Sequence, residues 1–304
     1  MLKKEIVMPA ASLIKLILLG AIWGGSFLFM HIAAPVLGPV LLIQSRVLLG
    51  AVFLLALAVL WKKPLDIRAH WKHFAILGFF NTALPFLLFA WASRLLPASM
   101  LSVLNATVPI WGAIFGAIWL RTALSIKTVA GLALGVAGVA ILVGFDGARL
   151  TPGMMLGVAA GLTAAACYAI AALYSKVARS VDAFSNAHGS MWAATVLIAP
   201  ATPFFPAATM PDPWVMLCVL ALGIACSGIA YVLYFKLIDE VGAASATTVT
   251  FLVPVFGMLW GALVLHEHIG LMGLGGAGLI IVGVALITGF SPAALVRRKA
   301  VTTE

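Results

Sequence analysis

The stretch "NATVPIWGAIFG" occupies residues 105–116, and "TFLVPVFGMLWG" occupies residues 250–261. Between them, Pro109 and Pro254, Gly112 and Gly257, and Gly116 and Gly261 share one separation of 145 residues. Both stretches lie in long apolar runs, where an interior helical proline costs about 3 kcal/mol. The same helix-breaking punctuation is therefore written twice. Working outward, residues 71–145 align with 216–290 without a gap. Gly78, Gly112, Gly116, Gly131, Gly138 and Gly144 meet Gly223, Gly257, Gly261, Gly276, Gly283 and Gly289. That is well beyond what 29 glycines in 304 residues give by chance. The same offset carries Trp23 to Tyr168, Ala21 to Ala166 and Leu28 to Leu173. The chain reads as two repeats, residues 1–150 and 151–304.

Composition gives the class. The chain is 64% hydrophobic and 9% charged, where a soluble domain carries about 25% charge. Mean hydropathy is +1.18. A bilayer core about 30 Å thick takes about 20 apolar residues per helical span. Ten such segments are predicted, at 12–34, 39–60, 72–93, 98–120, 126–145, 153–175, 184–204, 214–237, 243–265 and 270–290. The first apolar run is too long for a signal-peptide core and counts as a span. The fold class expected is an all-α integral membrane protein of ten transmembrane helices, with cytoplasmic N- and C-termini.

The charges support that orientation. With the N-terminus inside, one face collects Lys3, Lys4, Lys15, Lys62, Lys63, Arg68, Lys72, Arg121, Lys127, Lys176, Arg179, Lys236, Arg297, Arg298 and Lys299. The other face has only Arg94 and Arg149, and Arg46 lies within a span. Such a bias sets orientation in membranes, and it accounts for the +9 net charge without a nucleic-acid partner. Five spans per half is an odd number, so the second half enters from the opposite side. An inverted repeat of this kind places a substrate site near the midplane and exposes it alternately to each side.

Several stretches together resemble the EamA family of the drug/metabolite transporter superfamily. They are "AIWGGSF", the arginine in "QSRVLLGAVFLLAL", "NATVPIWGAIFGAIWL", "TTVTFLVPVFGMLWGALVLHE", "GLALGVAGVAIL" and "GAGLIIVGVALI". The resemblance covers nearly the full chain. It implies ten spans, an inner-membrane location and export of amino acids or related metabolites. EamA repeats often carry an acidic residue just after the fourth and ninth spans. Glu267 fits this in the second half, whereas Thr122 holds the matching place in the first.

All nine acidic residues fall in loops, tails or span ends, so no mid-membrane carboxylate is expected to couple transport to protons. Arg46 stands alone as a charge inside a span. An intramembrane arginine is costly and marks function by default. It reads either as a counter-ion for a substrate carboxylate or phosphate, or as a side chain snorkelling to the interface. Trp23, Tyr168, Trp111 and Tyr231 are candidates to line the site, since aromatic rings with a few polar groups hold small metabolites. Ser26, Asn81, Thr82, Asn105, Ser227 and Thr250 are the mid-span polar candidates. Thr82 matches Ser227 and Asn105 matches Thr250 at the 145 offset. They read equally as interhelical hydrogen-bonding groups. His188 lies one turn into the seventh span and can protonate near the cytoplasm.

Pro109 and Pro254 are expected hinges. Each removes the partner of a carbonyl four residues earlier, on Asn105 and Thr250. Each is followed by a GxxxG face suited to close helix packing. His266, Glu267 and His268 read as a solvated loop, with the histidines too closely spaced for a helical metal pair. No metal, cofactor or enzyme signature is present. The expected activity is alternating-access transport of a small organic metabolite across the inner membrane, with efflux of amino acids favoured by the resemblance. A flippase for a lipid-linked substrate is the alternative. The bilayer is the expected surrounding, and the oligomeric state stays open between monomer and homodimer.

Overall fold

A computed structural model describes residues 9–144, 151–178 and 181–289. Every regular element among the described residues is helical. The first, α1, runs Ala10–Leu60 but breaks at Gly38, where φ is 72° and ψ is 156°. Only glycine adopts that conformation readily. Pro35 and Pro39 flank it, so the segments predicted at 12–34 and 39–60 are two helices joined by one tight fold-back. The chain continues through α2 (Ile67–Leu77), a π-helical stretch (Gly78–Ala83) and α3 (Leu84–Ala92). After these come α4 (Ala98–Asn105), α5 (Val108–Leu120), α6 (Ile126–Gly144) and α7 (Pro152–Val177). Next is α8 (Ala183–Ile198), extended by a 3-10 stretch over Ala199–Phe204. Then come α9 (Pro213–Leu220), a second π-helical stretch (Ala221–Ile229) and α10 (Ala230–Val241). The last are α11 (Ala243–Ala246), α12 (Val249–Val264) and α13 (Leu271–Thr288).

Local signals explain the helix starts. Asp66, Thr151, Asp182 and Asp212 each accept a backbone N–H of the first turn that follows, at 2.8–3.2 Å. Such caps satisfy the donors a helix start leaves free. Burial of Asp182 raises its carboxyl pKa, but hydrogen bonds from Ser185 and Phe184 and the charge of Lys63 outweigh this and hold it below the usual aspartate range.

Six helical runs are long and apolar enough to cross a membrane, among them Ile67–Ala92, Ala98–Leu120 and Pro213–Val241. Their outward faces carry large apolar side chains: Val59, Ile118 and Leu271 are 70%, 70% and 86% exposed. Water would penalise such faces, whereas hydrocarbon would not. The molecule is a multi-pass membrane protein.

Glycine sets the closest approach. A Cβ on Gly131 would stand 2.6 Å from the Gly283 carbonyl oxygen, and one on Gly138 would stand 2.7 Å from that of Gly276. Helices α6 and α13 therefore meet backbone to backbone, as small residues permit in membranes. The buried core gathers around α1, with Leu42, Ile43, Val47 and Leu54 fully enclosed.

Candidate functional site

Arg46 lies in the second limb of α1 and is 4% exposed. Its Nε donates to Ser227 Oγ at 2.9 Å, and Nη1 lies 3.7 Å from the Met30 sulfur. The guanidinium carbon stands 3.7 Å above the Phe86 ring. Tyr168, Tyr231 and Cys226 lie within its electrostatic reach. Among the described residues no carboxylate pairs with it, since the ion pair found there is Lys15–Glu240. A snorkelling arginine would direct its head to the interface. This one points into the protein and is held there.

The π-helical stretches position its partners. Ser227 Oγ donates to the Leu222 carbonyl five residues back, at 2.9 Å, which is the π-helical spacing. That leaves its lone pairs free for Arg46. The first π-helical stretch holds the repeat mate, Thr82, which is fully buried with an unpartnered hydroxyl. Position 191, the repeat mate of Arg46, is a methionine. The centre thus has one cationic corner and one neutral corner.

Aromatic rings wall the remainder. Trp23 packs on Tyr231 and Tyr234 with centroids 6.2 and 5.4 Å apart. Its Nε1 donates to the Cys226 carbonyl at 3.3 Å. Phe89 bridges Phe27 at 5.3 Å and Tyr168 at 6.3 Å. The Asn81 side chain lies beside the Tyr231 hydroxyl as a hydrogen-bond partner. Trp23, Arg46, Asn81, Tyr168, Ser227 and Tyr231, singled out in sequence, therefore come together. Met30, Phe86, Phe89 and Cys226 complete the cluster.

The other candidates fall elsewhere. Ser26 and Thr250 donate to carbonyls of their own chain segment, Trp23 and Thr247. Asn105 is half-buried and ends α4. Trp111 stacks near Phe115 at 5.7 Å, and its indole N–H is buried without a partner. His188 accepts from Trp192 Nε1 at 3.0 Å and lines a groove with Lys62 and Lys63 at the basic end.

Neither proline run is straight. The first breaks at Ala106–Thr107, directly before α5, so Pro109 sits in the first turn of a new helix. The second breaks at Thr247–Thr248, and Pro254 stays inside α12. The two glycine faces also differ from the expectation of equal packing. Gly257 packs against Ser102, whereas Gly112 has no neighbouring element within 4 Å of a Cβ position. Gly112 and Gly116 instead line an open cavity of about 430 Å³ with Ala169, Leu173 and Lys176. Glu267 is not simply solvated: its carboxylate accepts from the backbone N–H of Ala98 at 2.7 Å and Ser99 at 3.1 Å.

Comparison with known proteins matches residues 11–144 and 155–289 to the model of the EamA-like transporter family. The uncharacterized transporter YoaV of Bacillus subtilis is 25% identical over 273 residues, covering 88% of this chain and 93% of that protein. An uncharacterized transporter of Archaeoglobus fulgidus is 27% identical over 282 residues, with the same coverages of 88% and 93%. One crystal structure of a protein superposes with a TM-score of 0.63 at 21% identity, over 91% of this chain and 96% of that one. This last likeness speaks to fold alone.

Proposed function

Because the chain belongs to the EamA-like transporter family, we propose that it exports a small metabolite bearing a carboxylate, an amino acid or a related compound, by alternating access. The observation that carries the cargo class is Arg46, a buried cation with no carboxylate partner among the described residues. Burying an unpaired ion costs several kcal/mol, and an arriving carboxylate offsets that cost with charge-assisted hydrogen bonds. The rings of Trp23, Tyr168 and Tyr231 provide the apolar contact that small-molecule sites favour.

The proposal includes ten spans in two inverted halves, with both termini cytoplasmic and the protein in the inner membrane. The break at Gly38, which turns one long helix into two, supports ten. The α6–α13 contact supports the inversion: the 145-residue offset turns Gly131–Gly283 into Gly276–Gly138, which is also a contact. The two π-helical stretches, Gly78–Ala83 and Ala221–Ile229, also fall on each other. So do the left-handed residues Arg121 and His266, with φ of 50° and 54°.

The test is counterflow in proteoliposomes with labelled amino acids, their decarboxylated amines and the corresponding carboxylic acids. Trans-accelerated uptake of carboxylates but not amines is expected. Counterflow of amines alone, or of none of these, refutes the cargo class. Movement of a lipid-linked substrate in the same vesicles would instead favour a flippase.

A further inference from the structure

The two ends of the bundle differ in a way that the repeat makes measurable. Away from the basic residues, Ser102 of α4 rests directly on Gly257 of α12. Applied to that pair, the 145-residue offset would bring Gly112 onto Thr247 at the basic end. There the site of a Gly112 Cβ meets no other element within 4 Å, and that of Gly116 meets only Leu173 Cδ2 at 3.9 Å. The α4–α12 contact made at one end is thus not made by its mates at the other.

Glu267 spans the closed end. Its two carboxylate oxygens accept from the first two N–H groups of α4, on Ala98 and Ser99. Those donors have no partner within the helix, and negative charge is favoured at a helix start. The left-handed residue His266 turns the chain so that the Glu267 carboxylate lies over Gly261, where a Cβ would collide with it. The left-handed turn and the glycine of this seat recur in the first half, without the carboxylate. Arg121 is left-handed like His266, and Gly116 stands at the place of Gly261. By the offset, the mate of Ala98 is Ala243, the first residue of the four-residue α11. Thr122 occupies the place of Glu267, with a side chain that is uncharged and too short.

We propose that Glu267 is a one-sided gate latch, which biases the unloaded carrier toward closure at its own end, and that Thr122 marks the vacant seat of a second latch. The inference rests on the alternating-access reading above. The closed contact is an ordered, two-oxygen attachment between α12 and α4 that must release for that end to open. The opposite end lacks this attachment at the Gly112 face; there Glu240 of α10 instead accepts from Ser12 and Lys15 of α1.

The test uses the full chain in nanodiscs without substrate, in a background with Cys167 and Cys218 replaced and the buried Cys226 kept, and reads spin-label distances. The pair Arg94–Leu263 reports the closed end, and Leu120–Asp239 reports the basic end. In Glu267→Ala, Arg94–Leu263 is expected to gain a longer component and Leu120–Asp239 a shorter one. Glu267→Gln keeps one acceptor oxygen but not the second acceptor or the charge, so it should fall between. Thr122→Glu, with Glu267 intact, is expected to give Leu120–Asp239 a shorter component. That variant keeps the proposal testable even if Glu267→Ala fails to fold. Unchanged distances in Glu267→Ala, accompanied only by a lower melting temperature, would reduce Glu267 to a plain helix cap and overturn the proposal. Unchanged distances in Thr122→Glu would overturn the vacant seat. Counterflow of the same variants reconstituted in sealed proteoliposomes separates the two readings. Working transport with fixed distances defeats the latch alone, and shifting distances without carboxylate counterflow defeat the cargo assignment alone.

Discussion

Replacing Arg46 by methionine should leave the protein about as stable and take away its cargo. Three terms decide the stability. The Nε–Ser227 hydrogen bond at 2.9 Å is worth about 1.5–3 kcal/mol as a bond from a charged group. The Phe86 contact at 3.7 Å adds up to about 2 kcal/mol in a desolvated setting. Against these stands a burial cost of several kcal/mol for an ion 4% exposed and without a carboxylate. Methionine fills much of the same volume and brings no charge, so the melting temperature in detergent should change little or rise. Transport should behave oppositely. Losing one charge-assisted contact of about 1.5–3 kcal/mol weakens carboxylate binding about 10- to 100-fold, at 1.4 kcal/mol per factor of ten. The assay is concentration-dependent counterflow of a carboxylate and of its methyl ester. Wild type should discriminate strongly between them, and Arg46→Met should not. Arg46→Lys should retain part of the discrimination, because an ammonium keeps the charge but not the planar fork or the stacking on Phe86. Undiminished discrimination in Arg46→Met refutes the counter-ion argument. So does a protein that unfolds without its arginine while the folded fraction transports normally.

Two further outcomes follow from packing and capping. Gly138→Ala should lower the melting temperature, because its Cβ would stand 2.7 Å from the Gly276 carbonyl oxygen; overpacking of about 1–3 kcal/mol exceeds the helix propensity of about 1 kcal/mol that alanine gains. Gly275→Ala in α13, with nothing within 4 Å of its Cβ, should raise it, and equal effects at the two positions would refute the contact. Asp182→Ala should cost about 1 kcal/mol of stability at neutral pH. The folded-state pKa of Asp182 is depressed, so its contribution is present above the unfolded value of about 3.9 and fades as pH falls through the folded one. A thermal-melt difference between wild type and Asp182→Ala that persists at lower pH would contradict that assignment.

Sequence contrast decided what was legible. Arg46 stood out as a charge in an apolar span, and Ser227 and Tyr168 stood out through the repeat, so their meeting was within reach. Phe86 and Met30 did not, because one more apolar residue in a chain 64% hydrophobic carries no contrast. The register that turns Ser227 toward Arg46 depends on hydrogen bonds spaced by five residues, and no residue type marks such a stretch. Pro109 announced the break beside it, whereas the second break sits at Thr247–Thr248, well before Pro254. There, Thr248 Oγ1 bonds the Ser245 carbonyl and offers the backbone a local alternative to the helix. The partners of Glu267 were hidden for a different reason: they are backbone N–H groups, which every residue but proline possesses.

The difference between the ends has a cause that the repeat isolates. Two identical inverted halves would make the two open states images of each other, equal in free energy. Any preference must therefore come from positions where the halves disagree. Besides Glu267 and Thr122, the halves also disagree on the helices facing the glycine runs. In α1, Gly20 and Gly24 admit α12 so closely that a Cβ on Gly24 would stand 2.9 Å from the Gly257 nitrogen. Their mates in α7 are Ala165 and Ala169. Closing α7 on α5 in the same geometry would place the Ala169 Cβ at that forbidden distance from Gly112, so the basic end must close more loosely. A cap of about 1 kcal/mol and a packing difference of about 1–3 kcal/mol act in the same direction. Together they exceed the 1.4 kcal/mol that separates states tenfold in population. A cargo that binds both states equally shifts nothing. With the proposed carboxylate cargo, Arg46 would have to grip it more tightly in one state than in the other, and the Ser227 bond that now occupies its Nε is the contact available for that exchange.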